Sequence, residues 1–348
     1  MASERGGIVV NGRFLVGAST GVHRNARLIL DVAREAELPL EVIAPPGADD
    51  PRVDRVLWGP AGRAGGQIWE QVFLPAVARG RAIMSLANTA PLASRRSVVF
   101  IHDAGPLVGP QWFSRSGRVY GWVMMTAARR GRGILVPTEQ VRRELIGFGF
   151  EAERIFVVRP VVDPSFRRAS PTEVQRIRDM YGLERPYVLH VGWSPRKDVG
   201  TVALAHRRIV GESPHDLVLV GAAHPNLSRV KIIDAPTIRR LGYVADSDMS
   251  ALLTGASALV FPTLYEGFGL PPLEAVACGT PAIVSDLPVL RETGGDAVHY
   301  VAPGDVEAWA AALTSAVRGG LSVGGLPVWS RADTRQQLVG ALEALSLL

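Results

Sequence analysis

Phe261–Asp286, FPTLYEGFGLPPLEAVACGTPAIVSD, is the stretch that decides the fold. The apolar run Ala258–Phe261 leads into it and predicts a buried strand. A loop with Glu266-Gly267-Phe268-Gly269 follows, then Pro271-Pro272 and a short apolar helix over Leu273–Cys278. Gly279 supplies a helix stop, Pro281 bars continuation, and Ala282–Val284 is the next strand. Strand, glycine loop, proline-started helix, glycine stop and strand is the order of a parallel β-α-β unit. Ligands of such sheets sit outside the carboxyl ends of the strands, where this loop falls. Its glycines admit a close approach of backbone to ligand, and a helix N-terminus attracts anions. Glu266 and Glu274 flank the turn. A ligand with both phosphate and hydroxyl groups suits that set, and a sugar nucleotide has both.

The same pattern extends through the second half of the chain. Tyr187–Val191 predicts a strand, followed by the turn Gly192-Trp193-Ser194 and then Pro195-Arg196-Lys197-Asp198. Adjacent Arg and Lys at a strand end can grip a pyrophosphate, one as a fork and one as a point charge. Of the 38 basic residues only Lys197 and Lys231 are lysine, so a composition that writes Arg almost everywhere wrote Lys here. Helices are expected over Thr172–Tyr181, Gly200–Val210, Ser247–Leu253 and Val306–Val317, with strands over Leu217–Val220, Ile238–Leu241 and Val298–Val301. A last helix, Asp333–Leu347, is apolar enough to need a partner surface.

The first half alternates in the same way. Strands are expected over Ile8–Val16 (interrupted at Asn11-Gly12), Leu40–Ala44, Ile83–Leu86, Val98–His102, Gly133–Pro137 and Ile155–Val158. Helices are expected over Ala26–Ala36, Ile68–Val77, Val119–Arg130 and Glu139–Phe148. Gly21 lies in a strand-to-helix turn, and His102 at another strand's carboxyl end. Both halves therefore read as doubly wound α/β sheets. Arg159–Pro171 holds three prolines, breaks the periodicity and reads as the linker. The expected division is residues 1–165 and 166–330, with 331–348 packing back on the first domain.

At 348 residues, two cores are expected rather than one. The single cysteine, Cys278, cannot form an internal disulfide and reads as a small core residue in a reducing compartment. The start, MASERGGIVV, lacks the basic-then-apolar order of a signal peptide, and no apolar run approaches membrane-spanning length. A cytoplasmic protein is the expectation. Residues 1–163 carry 21 Arg against 15 acids, a balance of +6, while the remainder is near neutral. A basic face suits acidic lipid headgroups or a phosphate-bearing acceptor, or is merely solvated. No aromatic-interleaved basic stripe suggests nucleic acid. Asp246-Ser-Asp248 spells a D-x-D but opens a helix, where such residues serve as caps.

Gly192–Asp198, Leu241-Gly242-Tyr243-Val244, Glu266–Glu274, Ala277–Pro281 and Ser285-Asp286 together resemble the retaining glycosyltransferase family 4 of GT-B fold. Glu266 and Glu274 match its E-x7-E signature. Thr20–Arg24, Trp69-Glu70-Gln71, Ile101-His102-Asp103, Trp112-Phe113-Ser114 and Pro137-Thr138-Glu139 resemble bacterial mannosyl-, fucosyl- or rhamnosyl-transferase relatives. The resemblance implies two Rossmann-like domains facing across a cleft. It implies a nucleotide-diphosphate sugar as donor, GDP-linked by slight preference, with no cofactor and no metal. The acceptor would be a carbohydrate, a lipid-linked saccharide or a small molecule.

By the same resemblance Glu274 would accept hydrogen bonds from the donor ribose, and Glu266 would meet the sugar hydroxyls or the developing anomeric charge. Amides of Gly267, Phe268, Gly269 and Leu270 would face sugar and phosphates, and Arg196 and Lys197 would hold the diphosphate. Gly21 would approach those phosphates from the other domain, and His102 would touch the sugar. Tyr243 and Val244 would lie near the base. The chain departs from the family at Pro160-Val161-Val162-Asp163, where a glycine is common, at Thr138, and at Trp193. Two other readings share this pattern: a nucleotide-sugar epimerase of the same architecture, and a non-catalytic partner protein that kept the fold.

Overall fold

The computed structural model describes residues 7–17, 20–60, 62–211, 214–221, 226–228, 235–327 and 329–348. They divide into two compact units. One holds the residues up to Val108, Arg118–Val161 and Trp329–Leu348; the other holds Gly109–Gly117 and Val162–Val328.

The first unit has seven strands: β1 (Ile8–Asn11), β2 (Leu40–Ala44), β3 (Arg55–Val56), β4 (Ile83–Ser85), β5 (Ser97–Phe100), β6 (Gly133–Val136) and β7 (Ile155–Val157). They form one parallel sheet in the order β3-β2-β1-β4-β5-β6-β7. Its helices are α1 (Gly21–Glu35), α2 (Gly62–Ile68), α3 (Leu74–Ala78), α4 (Gly105–Val108), α5 (Arg115–Arg130, whose first residues fall in the other unit) and α6 (Glu139–Gly147). The strands are nearly continuous apolar runs because both faces are covered. One face, with Ile8, Val10, Met84 and Phe100, packs on α1 and on the C-terminal helix through Ile29, Leu338 and Leu342. The opposite face, with Val9, Ile83, Val99 and Ile134, packs under α2–α3 and α5–α6.

The second unit repeats the plan with six parallel strands. These are β8 (Tyr187–Val191), β9 (Asp216–Val220), β10 (Ile238–Gly242), β11 (Ala258–Phe261), β12 (Ala282–Ser285) and β13 (His299–Val301), ordered β10-β9-β8-β11-β12-β13. Its helices are α7 (Pro171–Tyr181), α8 (Val199–Ile209), α9 (Asp246–Thr254), α10 (Leu270–Ala277), α11 (Pro288–Gly294) and α12 (Val306–Val317). In both sheets the strand order reverses beside the first strand, between β1 and β4 and between β8 and β11. Such switch points open crevices at the carboxyl edge, where ligands of this fold class bind.

Several expectations change. The first strand stops at Asn11, because the Asn11 side chain accepts from the Arg13 amide and caps a 3₁₀ turn over Gly12–Leu15. The helix expected over Ile68–Val77 is broken by a π-helical stretch, Trp69–Phe73. That wider turn buries both Trp69, whose Nε1 donates to Leu57 O at 3.1 Å, and the Glu70 carboxylate. Within the proline-rich linker Val161, Phe166 and Ala169 are buried, and the two compact units divide between Val161 and Val162. Gly109–Gly117 joins the second unit although its neighbours on both sides belong to the first. The last helix is α13 (Arg331–Ala344), boxed at its start by Ser330 and Asp333 and tied to α1 by Arg331 and Glu35 at 2.7–2.8 Å. Cys278 is buried, as its apolar neighbours suggested.

Candidate active site

The switch point of the second sheet brings together the strand-end loops that follow β8 and β11. After β8 the chain turns at Gly192, whose φ of +107° suits only glycine; a Cβ there would stand 3.0 Å from Lys197 Cε. The loop then makes a 3₁₀ turn over Pro195–Lys197, and Asp198 in the left-handed region starts α8. After β11, Leu264 N donates to Arg196 O at 2.7 Å, which clasps the two loops together. The Thr263 hydroxyl lies 3.1 Å from the same carbonyl and 3.0 Å from Glu266 Oε1.

Across that clasp Lys197 Nζ lies 2.7 Å from Glu266 Oε1 and 3.8 Å from the Phe261 ring centre. Both side chains are about nine-tenths buried, so the pair is only weakly screened by solvent. The resemblance assigned Lys197 to the diphosphate and Glu266 to the sugar, and the two side chains are in direct contact. An ammonium has three donors, so one hydrogen bond to Glu266 is compatible with another to a phosphate oxygen. Arg196 is half-buried in the same turn.

Beneath the pair sits His190, fully buried, with Nδ1 3.1 Å from Val260 O and Nε2 2.9 Å from Gly192 O. Burial, and then the charge of Lys197, pull its pKa down to about 4, so the ring is neutral at physiological pH. Close by, the Ser194 hydroxyl is buried and has no hydrogen-bond partner among the described residues; the same holds for Ser285 at the end of β12. Buried hydroxyls without partners are uncommon and mark places where a ligand or water completes the bonding.

The helix in the defining stretch starts at Leu270, three residues earlier than its apolar run suggests. Gly269 makes this possible with φ +89°. A Cβ there would stand 2.5 Å from Leu290 Cδ2. Pro271 and Pro272 in the first turn have no N–H, so the helix start offers fewer amide donors to an anion than an ordinary one. Glu274 consequently lies in the second turn, not the first, and is 2 % exposed. Phe268 is buried, and its carbonyl accepts from Thr293 Oγ1 at 2.8 Å. Tyr243 stands exposed just after β10, whereas Val244 is buried in the core.

One wall of the Glu266 loop comes from the segment that crosses over. Trp112 stacks on Tyr265 with ring centres 5.6 Å apart and planes 24° apart. The segment is held by Ser114 N donating to Asn226 O at 3.0 Å and Ser228 N to Trp112 O at 2.9 Å. Trp112-Phe113-Ser114 was legible as a motif, but its placement beside Glu266 was not.

The first unit presents its own set. Gly21 opens α1 under the cap of Thr20, and a Cβ there would meet nothing within 4 Å. His102 follows β5, with Nε2 2.8 Å from Leu86 O and Nδ1 3.3 Å from Asn25 Nδ2 on α1. Nε2 therefore carries the proton and Nδ1 accepts. Burial pulls its pKa to about 4, and both ring nitrogens already have protein partners. At the β1–β4 switch point a polar cluster escaped the sequence reading. Glu70, fully buried on the π-helical stretch, lies 3.1 Å from Arg13 Nε and accepts from Asn11 at 2.9 Å and Thr89 at 2.8 Å. Its traces in the sequence were the interruption at Asn11-Gly12 and the Trp69-Glu70-Gln71 motif, neither of which announced the contact between them.

Asp246 and Asp248 occupy the first turn of α9, with Ala245 as the cap, and Asp248 accepts from Arg176 at 2.7 Å. Among the described residues no group of three or more His, Cys, Asp or Glu side chains is arranged to hold a metal ion. Among them, too, no helix is long and apolar enough to cross a membrane.

Residues 185–318 match the family described as Glycosyl transferases group 1. O-antigen chain mannosyltransferase B of Escherichia coli is 29 % identical over 239 residues, covering 66 % of this chain and 63 % of that protein. O-antigen chain mannosyltransferase RfbU of Salmonella typhimurium is 26 % identical over 241 residues, covering 67 % and 64 %. The aligned part thus spans just under two-thirds of either relative. Anabaena Alr3699/HepE in complex with UDP and glucose superposes with a TM-score of 0.72 at 17 % identity, over 97 % of this chain and 100 % of that one. WaaG, a glycosyltransferase involved in lipopolysaccharide biosynthesis, superposes at 0.66 with 15 % identity, over 97 % and 95 %. At such identity the likeness shows the fold: two parallel-sheet α/β units of GT-B type.

Proposed function

We propose that this chain, whose residues 185–318 are a glycosyl transferases group 1 domain, is a retaining glycosyltransferase that moves a hexose or deoxyhexose from a nucleotide-diphosphate sugar to a hydroxyl acceptor. The observation that carries the reading is the Lys197–Glu266 contact at the switch point, 2.7 Å long, beside the unpartnered Ser194 hydroxyl. Cation, carboxylate and orphaned hydroxyl suit a ligand that is phosphate at one end and polyol at the other.

In this reading Arg196 and Lys197 hold the diphosphate, with the amides of Gly267–Leu270 adding donors. Glu266 faces the sugar and Glu274 the ribose. Tyr243 and the Val244 backbone lie toward the base. Gly21 and His102 are assigned to phosphate and sugar on the resemblance alone, and His102 acts as a neutral ring. Departure of the diphosphate puts positive charge on the sugar and negative charge on the leaving oxygen. Each preorganised donor to that oxygen is worth about 2.7–4 kcal/mol in comparable sites. The acceptor attacks from the face the diphosphate leaves, and a departing phosphate oxygen takes its proton. Two side-chain cations at the diphosphate make a metal unnecessary, so transfer persists in excess EDTA.

The names of the O-antigen relatives favour a mannosyl donor and a saccharide acceptor; the GDP linkage and a lipid-linked acceptor rest on the sequence resemblance alone. The reading includes peripheral contact of the basic N-terminal half with an acidic membrane. Incubation with GDP-mannose and a saccharide acceptor, followed by analysis of anomeric configuration, tests it. A retained α-linked product is expected; an inverted product, or conversion of donor without acceptor, overturns it.

A further inference from the structure

The two helical layers of the first unit have opposite outer surfaces. On one side of the sheet, α1 and α13 expose no large apolar side chain, and ion pairs lace this side. Arg52 meets Asp31 at 2.7 Å, Arg34 meets Asp54 at 2.9 Å, and Arg331 meets Glu35 at 2.7 Å. On the other side, the layer of α2–α3 and α5 carries the exposed apolar groups. Trp58 is 78 % exposed, Trp122 66 %, Val119 64 %, Val72 59 % and Ile68 50 %.

That one layer carries both patches follows from register. Ile83 on β4 packs under α3, and Val99 on β5 packs under α5. Ser85 pairs with Val99 across the parallel ladder, so Ile83, two residues before Ser85, shares the face of Val99. Ile68, Val72 and Ala76 are exposed at intervals of four, one stripe on one helical face, and Trp58 meets Phe73 beside it edge-on at 5.9 Å. On α5, Arg118, Val119, Trp122, Arg129 and Arg130 fall on one side of the helix, while Met124, Met125 and Ala128 are buried on the other.

Charge selects the occupant. The sixteen residues of α5 include four arginines and no acid. Across residues 62–78 the only acid is Glu70, which is buried against Arg13. Arg79, Arg118 and Arg130 stand exposed at the margins of the apolar groups, and Arg129 reaches the carbonyls of Phe148 and Gly149. Exposed tryptophan with aliphatic neighbours, rimmed by arginine on α2–α3 and α5, helices that expose no acid although the adjoining α6 carries Glu139 and Glu144, is a composition that seats at the headgroup level of an anionic bilayer. We infer that this layer, through Trp58, Val72, Val119 and Trp122 with Arg118 and Arg130, rests on the anionic surface of a phospholipid membrane. This locates the membrane contact included above, and it does not depend on the donor assignment.

Flotation of the full chain with phosphatidylcholine vesicles, with and without phosphatidylglycerol and without any sugar nucleotide, tests the inference. Binding to the phosphatidylglycerol vesicles is expected, weakening as salt rises. Each arginine neutralised, as in Arg118→Gln or Arg130→Gln, is expected to weaken it about fivefold. Trp58→Ser with Trp122→Ser is expected to abolish it, with circular dichroism and melting temperature unchanged. Equal binding to both kinds of vesicle, no binding to either, or undiminished binding of the tryptophan variant overturns the inference. So does a wild-type dimer in light scattering that the tryptophan variant dissolves, which would identify a second copy as the occupant.

Discussion

Lys197 stands where one misplacement has the largest consequence. Its ammonium is held by Glu266 and by the Phe261 ring, and Gly192 leaves room for its stem. Lys197→Ala is expected to lower transfer at least about 100-fold, the order found for loss of one preorganised donor. Glu274→Ala is expected to do the same. Both should keep their circular dichroism, and near-wild-type turnover in either would remove that residue from the site. Trp112 tests the neighbouring wall. Trp112→Phe keeps a ring on Tyr265 and is expected to keep activity, whereas Trp112→Ala should lose about 10-fold in kcat with donor affinity little changed. Equal activity in the two variants would show that the stack does not position the Glu266 loop. Residue types at strand ends were legible because their chemistry is local. The Lys197–Glu266 contact, the Trp112 stack and the Glu70 cluster were not, because each joins segments far apart in sequence.

At the scale of elements, the strands read most clearly. β8 and β2 fall where their apolar runs predict, since a strand buried on both faces needs nothing but such a run. Helix boundaries read less well. α10 begins at Leu270 because a left-handed Gly269 aims it, a feature no periodicity reports. Gly269→Ala combines an unfavourable φ with a 2.5 Å approach to Leu290. It is expected to cost about 2–4 kcal/mol of stability, measurable by urea unfolding. A change below about 0.5 kcal/mol, the range of an ordinary surface substitution, would show that α10 starts elsewhere. The π-helical stretch is invisible to pattern because its cause is the distant polar partners of Glu70. Glu70→Gln breaks its ion pair with the partly exposed Arg13 and is expected to cost roughly 2–3 kcal/mol.

For the whole molecule, the doubling of an α/β plan was legible. The crossover of Gly109–Gly117 was not, because its residues carry no composition of their own. Three histidines with lowered pKa set the response to acid, His190 and His206 fully buried and His102 partly buried. His102, His190 and His206 each have pKa values pulled to about 4, first of all by burial. An unfolded histidine titrates near about 6.5, so between those values the unfolded chain binds more protons. Stability is therefore expected to be level above pH 7 and to fall as pH drops from about 6.5 toward 4, by on the order of 1–3 kcal/mol per histidine. A stability that rises on acidification would contradict their burial as neutral rings.

The claim at the centre is that the β8–β11 switch point holds a nucleotide-diphosphate sugar. Calorimetric titration with GDP-mannose, and with the UDP, dTDP and ADP sugars, measures it directly. One nucleotide sugar is expected to bind at a single site, with affinity falling at least about tenfold in Lys197→Ala and in Glu274→Ala, about 1.4 kcal/mol. No binding of any of the four, or equal affinity in folded variants, would contradict it.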